Sequence, residues 1–467
     1  MKRATRVAFF QVKGKMAIHK FKYKDRYILL DINSSNVFEI DELVYDILDY
    51  YPQRNIFETV DALKDQYSET TIREVVEDID ELIGEGKLFS KETYINPEFV
   101  KSGSIKAMCL NIAHDCNLAC KYCFASGGDF KIKRELMSLE NAKAAMDFLI
   151  RESKGRKNLE VDFFGGEPLM NFEVVKQTVA YAREREKETG KNFRFTITTN
   201  ALLLDDKKME FINKEMVNLV LSLDGRKEVH DRMRPTLTNR GSYDIVCRNI
   251  ANAVKLRGDK DYFVRGTYTS HNLDFADDVK HFADLGFPKL SVEPVVTESE
   301  NDYAIREEHL DQIKAEYDRL TDIYLDYKKT DKAFSFFHFI VDLESTTCQY
   351  KKVSGCGAGC DYVSVAPDGK VYPCHQFVGI DEYELGTLKD GITRNEIRDE
   401  FRHANLLTKE SCKDCWAKYF CGGGCHANSY NEHNDIMKVH ELGCEMTKKR
   451  LECALYIKCV QKTLINA

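Results

Sequence analysis

The sequence predicts an α/β protein, and three observations carry that prediction. Between Ala107 and Pro294 short β-rich runs alternate with longer helical patterns, as expected of repeated βα units on a parallel sheet. Ahead of them lies a small module of strands followed by helices. Behind them, eleven of the sixteen cysteines gather from Cys348 onward in tight, Gly-flanked groups. A chain of 467 residues, 43% of them hydrophobic, is long enough for about three domains and at least one large core.

Charge and hydropathy exclude several function classes. With 76 acidic against 68 basic side chains the net charge is −8, so nothing draws the chain generally toward nucleic acid or an anionic membrane. No apolar run approaches the ~20 residues that span a bilayer, and Met1 to Lys15 lacks a signal-peptide core. A cytoplasmic location is expected. There, sixteen cysteines are better explained by metal ligation than by disulfides. Several exposed clusters would also imply oxygen sensitivity, hence an anaerobic niche.

In residues 1–95 two strand-like runs, His19 to Tyr23 and Arg26 to Ile32, flank the turn Lys24-Asp25. Three amphipathic helices are expected next. Leu43, Val44, Ile47 and Leu48 share one face, Val60 and Leu63 mark a second, and Ile72, Val75, Val76, Ile79, Leu82 and Ile83 a third. With Gly84-Glu-Gly86 and Lys87-Leu-Phe89 closing it, the module resembles the winged-helix peptide-recognition domain of peptide-modifying enzymes. That resemblance implies that a leader peptide adds a strand to the sheet edge and lays side chains against the last helix. A winged helix that binds DNA or only packs on its neighbour is the alternative. The acidic third helix (Glu74, Glu77, Asp78, Asp80, Glu81) argues against phosphate contact.

Thr93 to Ser104 reads as a linker. The β-rich runs after it are Ala107 to Ile112, Leu159 to Phe164, Phe193 to Thr199, Leu219 to Leu223, Phe263 to Ser270 and Lys289 to Glu293. Directly after the first stands Cys116-Asn-Leu-Ala-Cys120-Lys-Tyr-Cys123. A single short loop with that spacing can wrap three thiolates around one iron-sulfur cube and leave its fourth iron open to a reactant. A zinc loop completed by His114 is the alternative. The C-x3-C-x2-C spacing resembles the signature of radical S-adenosylmethionine (SAM) enzymes. The resemblance implies that Cys116, Cys120 and Cys123 hold a catalytic [4Fe-4S] cluster, that SAM is cleaved to a 5'-deoxyadenosyl radical, and that the six units form a partial (β/α)6 barrel with ligands at the C-terminal strand ends.

Polar groups fall where such a barrel would use them. Gly165-Gly166-Glu167-Pro168 follows the second run: two glycines admit close backbone approach, and Glu167 can accept from an ammonium. The motif resembles the family's site for the SAM amino group. Thr198-Thr-Asn200 ends the third run and Ser222-Leu-Asp224-Gly225 the fourth, offering hydroxyls and carboxylates to a ribose. The resemblance places Ser222 and Asp224 near SAM, with loop capping as the alternative. Arg234 in His230-Asp-Arg-Met-Arg234 could pair with the SAM carboxylate or form a surface ion pair. Thr297 to Lys332, with Leu310, Ile313, Tyr317 and Leu320 on one face, is expected to be a solvated bridging helix.

In the C-terminal third, Cys412-x2-Cys415-x5-Cys421-x3-Cys425 is followed by Cys444, with Cys356 and Cys374 upstream. Asp368-Gly369 makes a hairpin turn that brings Cys374 back toward its partners. The seven thiols resemble the SPASM extension of radical SAM maturases, which holds two auxiliary [4Fe-4S] clusters, three clusters in all. Carried over by position, Cys412, Cys415, Cys421 and Cys444 would hold one, and Cys356, Cys374 and Cys425 three corners of the other. Cys348 or Cys360, or neither, completes that second set. A zinc ribbon over Cys412 to Cys425 is the alternative. Cys109, Cys247, Cys453 and Cys459 fit no ligand set and are expected to be buried structural thiols.

These blocks give a peptide-recognition module (1–95), a radical SAM barrel (104–300), a helical bridge (301–345) and a SPASM domain (346–467). With Gly355-Cys-Gly-Ala-Gly-Cys360 and Tyr372-Pro-Cys-His-Gln-Phe377, the chain resembles the maturases of SCIFF (six cysteines in forty-five residues) peptides. The resemblance implies an enzyme that joins a cysteine sulfur to a carbon of another residue, usually threonine, in a Cys-rich ribosomal precursor peptide. It also implies a low-potential electron donor as partner. The rivals are a sulfatase maturase that makes formylglycine and a non-catalytic iron-sulfur protein that binds peptides or carries electrons.

Overall fold

The computed structural model describes residues 17–92, 95, 103–341, 343 and 352–466. Met1 to Lys15, most of the expected linker and Cys348 lie outside the described residues. The N-terminal module is a three-stranded antiparallel sheet, β1 (Ile18–Tyr23), β2 (Arg26–Asp31) and β3 (Val37–Ile40), followed by α1 (Glu42–Ile47), α2 (Ile56–Leu63) and α3 (Glu69–Gly84). Each helix starts at a polar cap. The side chains of Asp41, Asn55 and Ser68 accept from backbone N–H groups three residues on, and Asn55 and Glu58 form a reciprocal capping box. The anticipated faces meet in one small core of Leu29, Ile47, Leu48, Val60, Leu63, Ile72, Val76 and Ile79. The third strand, only four residues long, is an addition to the sequence expectation.

All six β-rich runs are strands: β4 (Ala107–His114), β6 (Asn158–Gly165), β7 (Asn192–Thr199), β8 (Met216–Ser222), β9 (Phe263–Tyr268) and β10 (Lys289–Pro294), paired parallel in that order. A short β5 (Glu135–Leu136) pairs with the end of β4. The crossovers carry α4 (Leu139–Glu152), α5 (Phe172–Thr189), α6 (Asp206–Glu215), the pair α7 (Lys227–Met233) and α8 (Tyr243–Arg257), then α9 (Phe275–Asp284). Alternation along each strand sorts the side chains. Leu159, Val161 and Phe163 of β6 are buried, whereas Glu160, Asp162 and Phe164, alternating with them, are half-buried on the opposite face.

Two features depart from expectation. Helix α10 (Leu310–Tyr327) is not a solvated bridge. Ile313, Tyr317, Leu320, Thr321 and Tyr324 are buried, and the helix packs on α9 and on the C-terminal helix α15 (Glu441–Asn466). Charged residues flank its buried stripe, Lys314 and Asp318 pairing with Glu445 and Lys449 of α15, and the chain beyond it adds β11 (Ser335–Phe336) parallel to β10. At the other edge, the tail joins the same sheet: β12 (Tyr362–Val365) runs parallel to β4, and β13 (Lys370–Tyr372), β14 (Gly386–Thr387) and β15 (Gly391–Ile392) extend it antiparallel. The turn between β12 and β13 holds Gly369 at φ +88°, as the hairpin reading requires. Helices α11 (Asn395–His403), α12 (Glu410–Lys413), α13 (Lys418–Cys421) and α14 (His426–His433) complete the tail before α15.

The N-terminal module docks on the tail. The His19 ring stacks on Trp416 at 3.7 Å and an interplanar angle of 5°, with its Nε2 3.1 Å from Glu452. Lys418 reaches Glu92 at 2.8 Å, and Tyr23 meets Cys453 and Asp318 between α10 and α15.

Candidate active site

Strand β4 delivers the three-thiol loop, and its neighbours hold that loop in place. Ala119 and Lys121 donate backbone hydrogen bonds to the carbonyls of Pro235 and Met233, at 2.8 and 2.9 Å, just past α7. From β6, Gly166 donates to Ala113 and Glu167 to Asp115, at 2.8 and 2.9 Å. A Cβ on Gly165, where φ is +127°, would lie 2.3 Å from the Ala113 carbonyl oxygen, and one on Gly166 would lie 2.2 Å from that of Asp115. Both glycines are therefore required for β6 to lie against the thiol loop.

The expected site residues converge here. Glu167 is fully buried, and burial raises its carboxyl pKa. That rise is opposed by Thr199 Oγ1 at 2.7 Å and the amides of Asn200 and Leu169 at 2.8 and 3.0 Å, all of which donate to it. Pro168 is buried at the start of the following turn. Asn200 donates to Asn117 at 2.8 Å and to the Cys116 sulfur at 3.6 Å, and the Leu118 amide donates to the same sulfur at 3.5 Å. Asp224 accepts from the Tyr122 hydroxyl at 2.6 Å and from the Thr267 amide at 3.2 Å, and lies 3.6 Å from Arg234, which itself donates to Tyr122 at 2.8 Å. Ser222 ends β8, half-buried and in register with Arg265. Asp224 and Arg234 thus brace the loop through Tyr122, a residue between Cys120 and Cys123 that sequence reasoning passed over. Asn117 was passed over likewise, since it carries no spacing signal, whereas the Thr199 hydroxyl, expected to face a ribose, donates instead to Glu167.

Burial pushes Cys116 up to about 12 and Cys120 to about 11, so metal binding must release protons here. A tetrahedral zinc at about 2.3 Å from each sulfur needs its ligands within roughly 4 Å of one another. Among the described residues, no three cysteine or histidine ligand atoms converge within 4.8 Å. His114 instead stacks on Phe130 at 4.4 Å, and burial takes its pKa down to about 4. The described thiols therefore form no ready-made zinc-sized site. Asn117 Nδ2 and Arg234 Nε are buried beside the thiols without a hydrogen-bond partner, donors still available to a ligand. The residues present therefore fit a cluster with a polar organic ligand upon it.

The tail thiols form two sets. Cys412, Cys415, Cys421 and Cys444 crowd one another, and burial with that crowding pushes Cys444 up to about 12. Cys356, Cys374 and Cys425 form the other set. The loops that carry the two sets touch. A Cβ on Gly422, at φ +73°, would lie 2.7 Å from Gly355 Cα. Cys360 neighbours Cys356, and Arg398 grips its carbonyl at 2.8 Å. Cys109, Cys453 and Cys459 are buried, and Cys247 is half-buried.

A cavity of about 1090 Å³ opens between the parallel sheet and the tail. Asp162, Thr196, Asn218 and Phe263 line one wall, Cys356 and Cys360 another. Burial raises Asp162 to about 7, opposed by Thr198 and Arg265. Its native state holds the proton between the ordinary value of 3.8 and about 7, so this group withdraws stability as pH rises through that window. Asp162→Asn is expected to be more stable relative to the parent by about 1–2 kcal/mol at pH 8 than at pH 4, after discounting for cavity water. Anaerobic thermal unfolding at both pH values checks this, and a pH-independent difference would refute it.

Residues 110–285 match the family model of the radical SAM superfamily, and residues 356–416 that of the SPASM iron-sulfur cluster-binding domain. The chain thus carries a radical SAM domain followed by a SPASM domain, an architecture that implies an enzyme using [4Fe-4S] clusters and SAM. The radical SAM cyclopropyl synthase TigE of Paramaledivibacter caminithermalis is 23% identical over 448 residues, 88% of this chain and 88% of that protein. A cysteine-type anaerobic sulfatase-maturating enzyme of Clostridium novyi is 25% identical over 332 residues, 67% of this chain and 86% of that one. The crystal structure of Streptococcus suis SuiB bound to precursor peptide SuiA superposes with a TM-score of 0.51 at 17% identity, covering 91% of this chain and 97% of SuiB. Among the described residues no helix is long and apolar enough to cross a membrane.

Proposed function

We propose that this chain is a cytoplasmic radical SAM maturase that links a cysteine sulfur to a carbon of another residue, threonine by preference, within a Cys-rich precursor peptide. In this reading Cys116, Cys120 and Cys123 hold the catalytic cluster in a partial (β/α)6 barrel. Glu167, Asn200, Ser222, Asp224 and Arg234 surround SAM, and the tail holds two auxiliary clusters. The leader engages the N-terminal module. The observation that carries the reading is the three-thiol loop braced beside the buried Glu167, Asn200, Asp224 and Arg234, with two further thiol sets in the tail of the same sheet. Matches to TigE and SuiB over about nine-tenths of the chain add support, because such spans take in more than the barrel.

Bound clusters and SAM would supply the carbon radical and take up the electron left over when the new bond closes. The protein supplies the rest. Thioether formation removes two hydrogens from the peptide: one leaves as an atom, the other as a proton and an electron. The Tyr122, Asp224 and Arg234 network keeps the loop rigid, and the fully buried Glu167 presents an anion to the SAM ammonium.

The test uses anaerobically reconstituted, reduced protein with SAM and a Cys-rich precursor peptide encoded beside it. Mass spectrometry should show loss of two hydrogens, one cysteine resistant to alkylation, and 5'-deoxyadenosine. Conversion of a cysteine to an aldehyde would favour formylglycine formation, the activity suggested by the Clostridium novyi relative. An unchanged peptide beside 5'-deoxyadenosine would sink the substrate assignment.

A further inference from the structure

Lys409 is explained neither by the packing of the tail nor by the thiol spacing. It is 1% exposed, and a lysine so deeply buried is rare unless an anion faces it. Its Nζ donates to the carbonyl of Gly423 at 3.2 Å, and no carboxylate acts on it among the described residues. The groups that interact with it electrostatically are the thiols of Cys412, Cys421, Cys425 and Cys444, each of which becomes anionic on binding a cluster. These come from both thiol sets. Gly423 is the middle of Cys421-Gly-Gly-Gly-Cys425, the loop whose first cysteine belongs to one set and whose last belongs to the other.

A buried ammonium without a counter-ion is strongly destabilising, and a cluster held by thiolates carries net negative charge that grows on reduction. We propose that Lys409 is the shared counter-charge of the two auxiliary clusters, stabilising the reduced state of each and thereby raising both reduction potentials. It is a positioning residue: it touches no substrate, and it biases the tail toward accepting the electron released on carbon-sulfur bond formation. The inference rests on the reading that the tail holds two clusters.

The test uses the full chain, reconstituted anaerobically, in a Cys116, Cys120 and Cys123 to Ala background, so that only tail clusters contribute. Redox titration followed by electron paramagnetic resonance compares the parent with Lys409→Met and Lys409→Arg. At a fixed poise, Lys409→Met should lower the reduced-to-oxidised ratio of both clusters about tenfold, equivalent to about 59 mV for a one-electron couple, and a shift confined to one cluster would overturn the shared role. Lys409→Arg should stay within about twofold of the parent. Selective loss of tail iron in Lys409→Met, with iron retained in Lys409→Arg, would also support a charge requirement. Unchanged ratios in a fully loaded Lys409→Met, or equal effects of both substitutions, would overturn the proposal. A parent tail without iron would remove the two-cluster reading and this inference together, an outcome separable by iron analysis before any titration.

Discussion

Replacing Cys116, Cys120 and Cys123 together with alanine is expected to reduce SAM cleavage to the rate of a sample without enzyme, while iron bound by the tail persists. The loss should be complete rather than partial, because these are the three thiols on the loop and nothing nearby can replace them. His114 is turned away onto Phe130, and Glu167 is already held by three donors. Iron should survive in the tail because its cysteines belong to separate sets on α12 to α15 and on the loops beside β12 and β13. The measurement is iron content and 5'-deoxyadenosine formation on the same sample. Cleavage that survived would place the catalytic centre elsewhere in the chain.

Arg234→Met should produce the largest loss of stability from a single substitution near the site, about 3–5 kcal/mol by the rule for breaking a buried ion pair. Asp224 is fully buried, and its carboxyl is already pushed up by burial, with Arg234 the strongest opposing influence. Without the guanidinium, Asp224 must take up a proton or pull Tyr122 out of place, and Tyr122 lies in the thiol loop. Anaerobic denaturant unfolding would measure the loss. A change below about 1 kcal/mol would show that Asp224 is compensated by Tyr122 and the Thr267 amide alone.

The strands of the parallel sheet were legible because each combines β-branched or aromatic runs with turn signals. The thiol sets were legible because ligand spacing is itself a chemical constraint. What the sequence hid was non-local. Nothing in Tyr362–Val365 states that it will pair with Ala107–Leu110, since four residues of a hairpin carry no address for a distant partner. The face of α10 was visible at Ile313, Tyr317 and Leu320, yet its heavy charge suggested solvent. Only α9 and α15, brought in from either side, decide that it is buried. Tyr122 and Lys409 escaped notice for a related reason: each acts through a contact made by the fold, Tyr122 with Asp224 and Arg234, Lys409 with the glycine loop.

The pairing of β12 with β4 also sets an order of events during synthesis. Strand β4 leaves the ribosome early, but its partner on one side follows roughly 250 residues later, a delay of roughly 10 to 50 seconds at usual elongation rates. For that interval the nascent chain exposes an unpaired apolar edge directly beside its cysteine loop, the kind of edge that recruits other strands. A chain released before β12 arrives would carry both an open edge and a loop of three free thiols beside it.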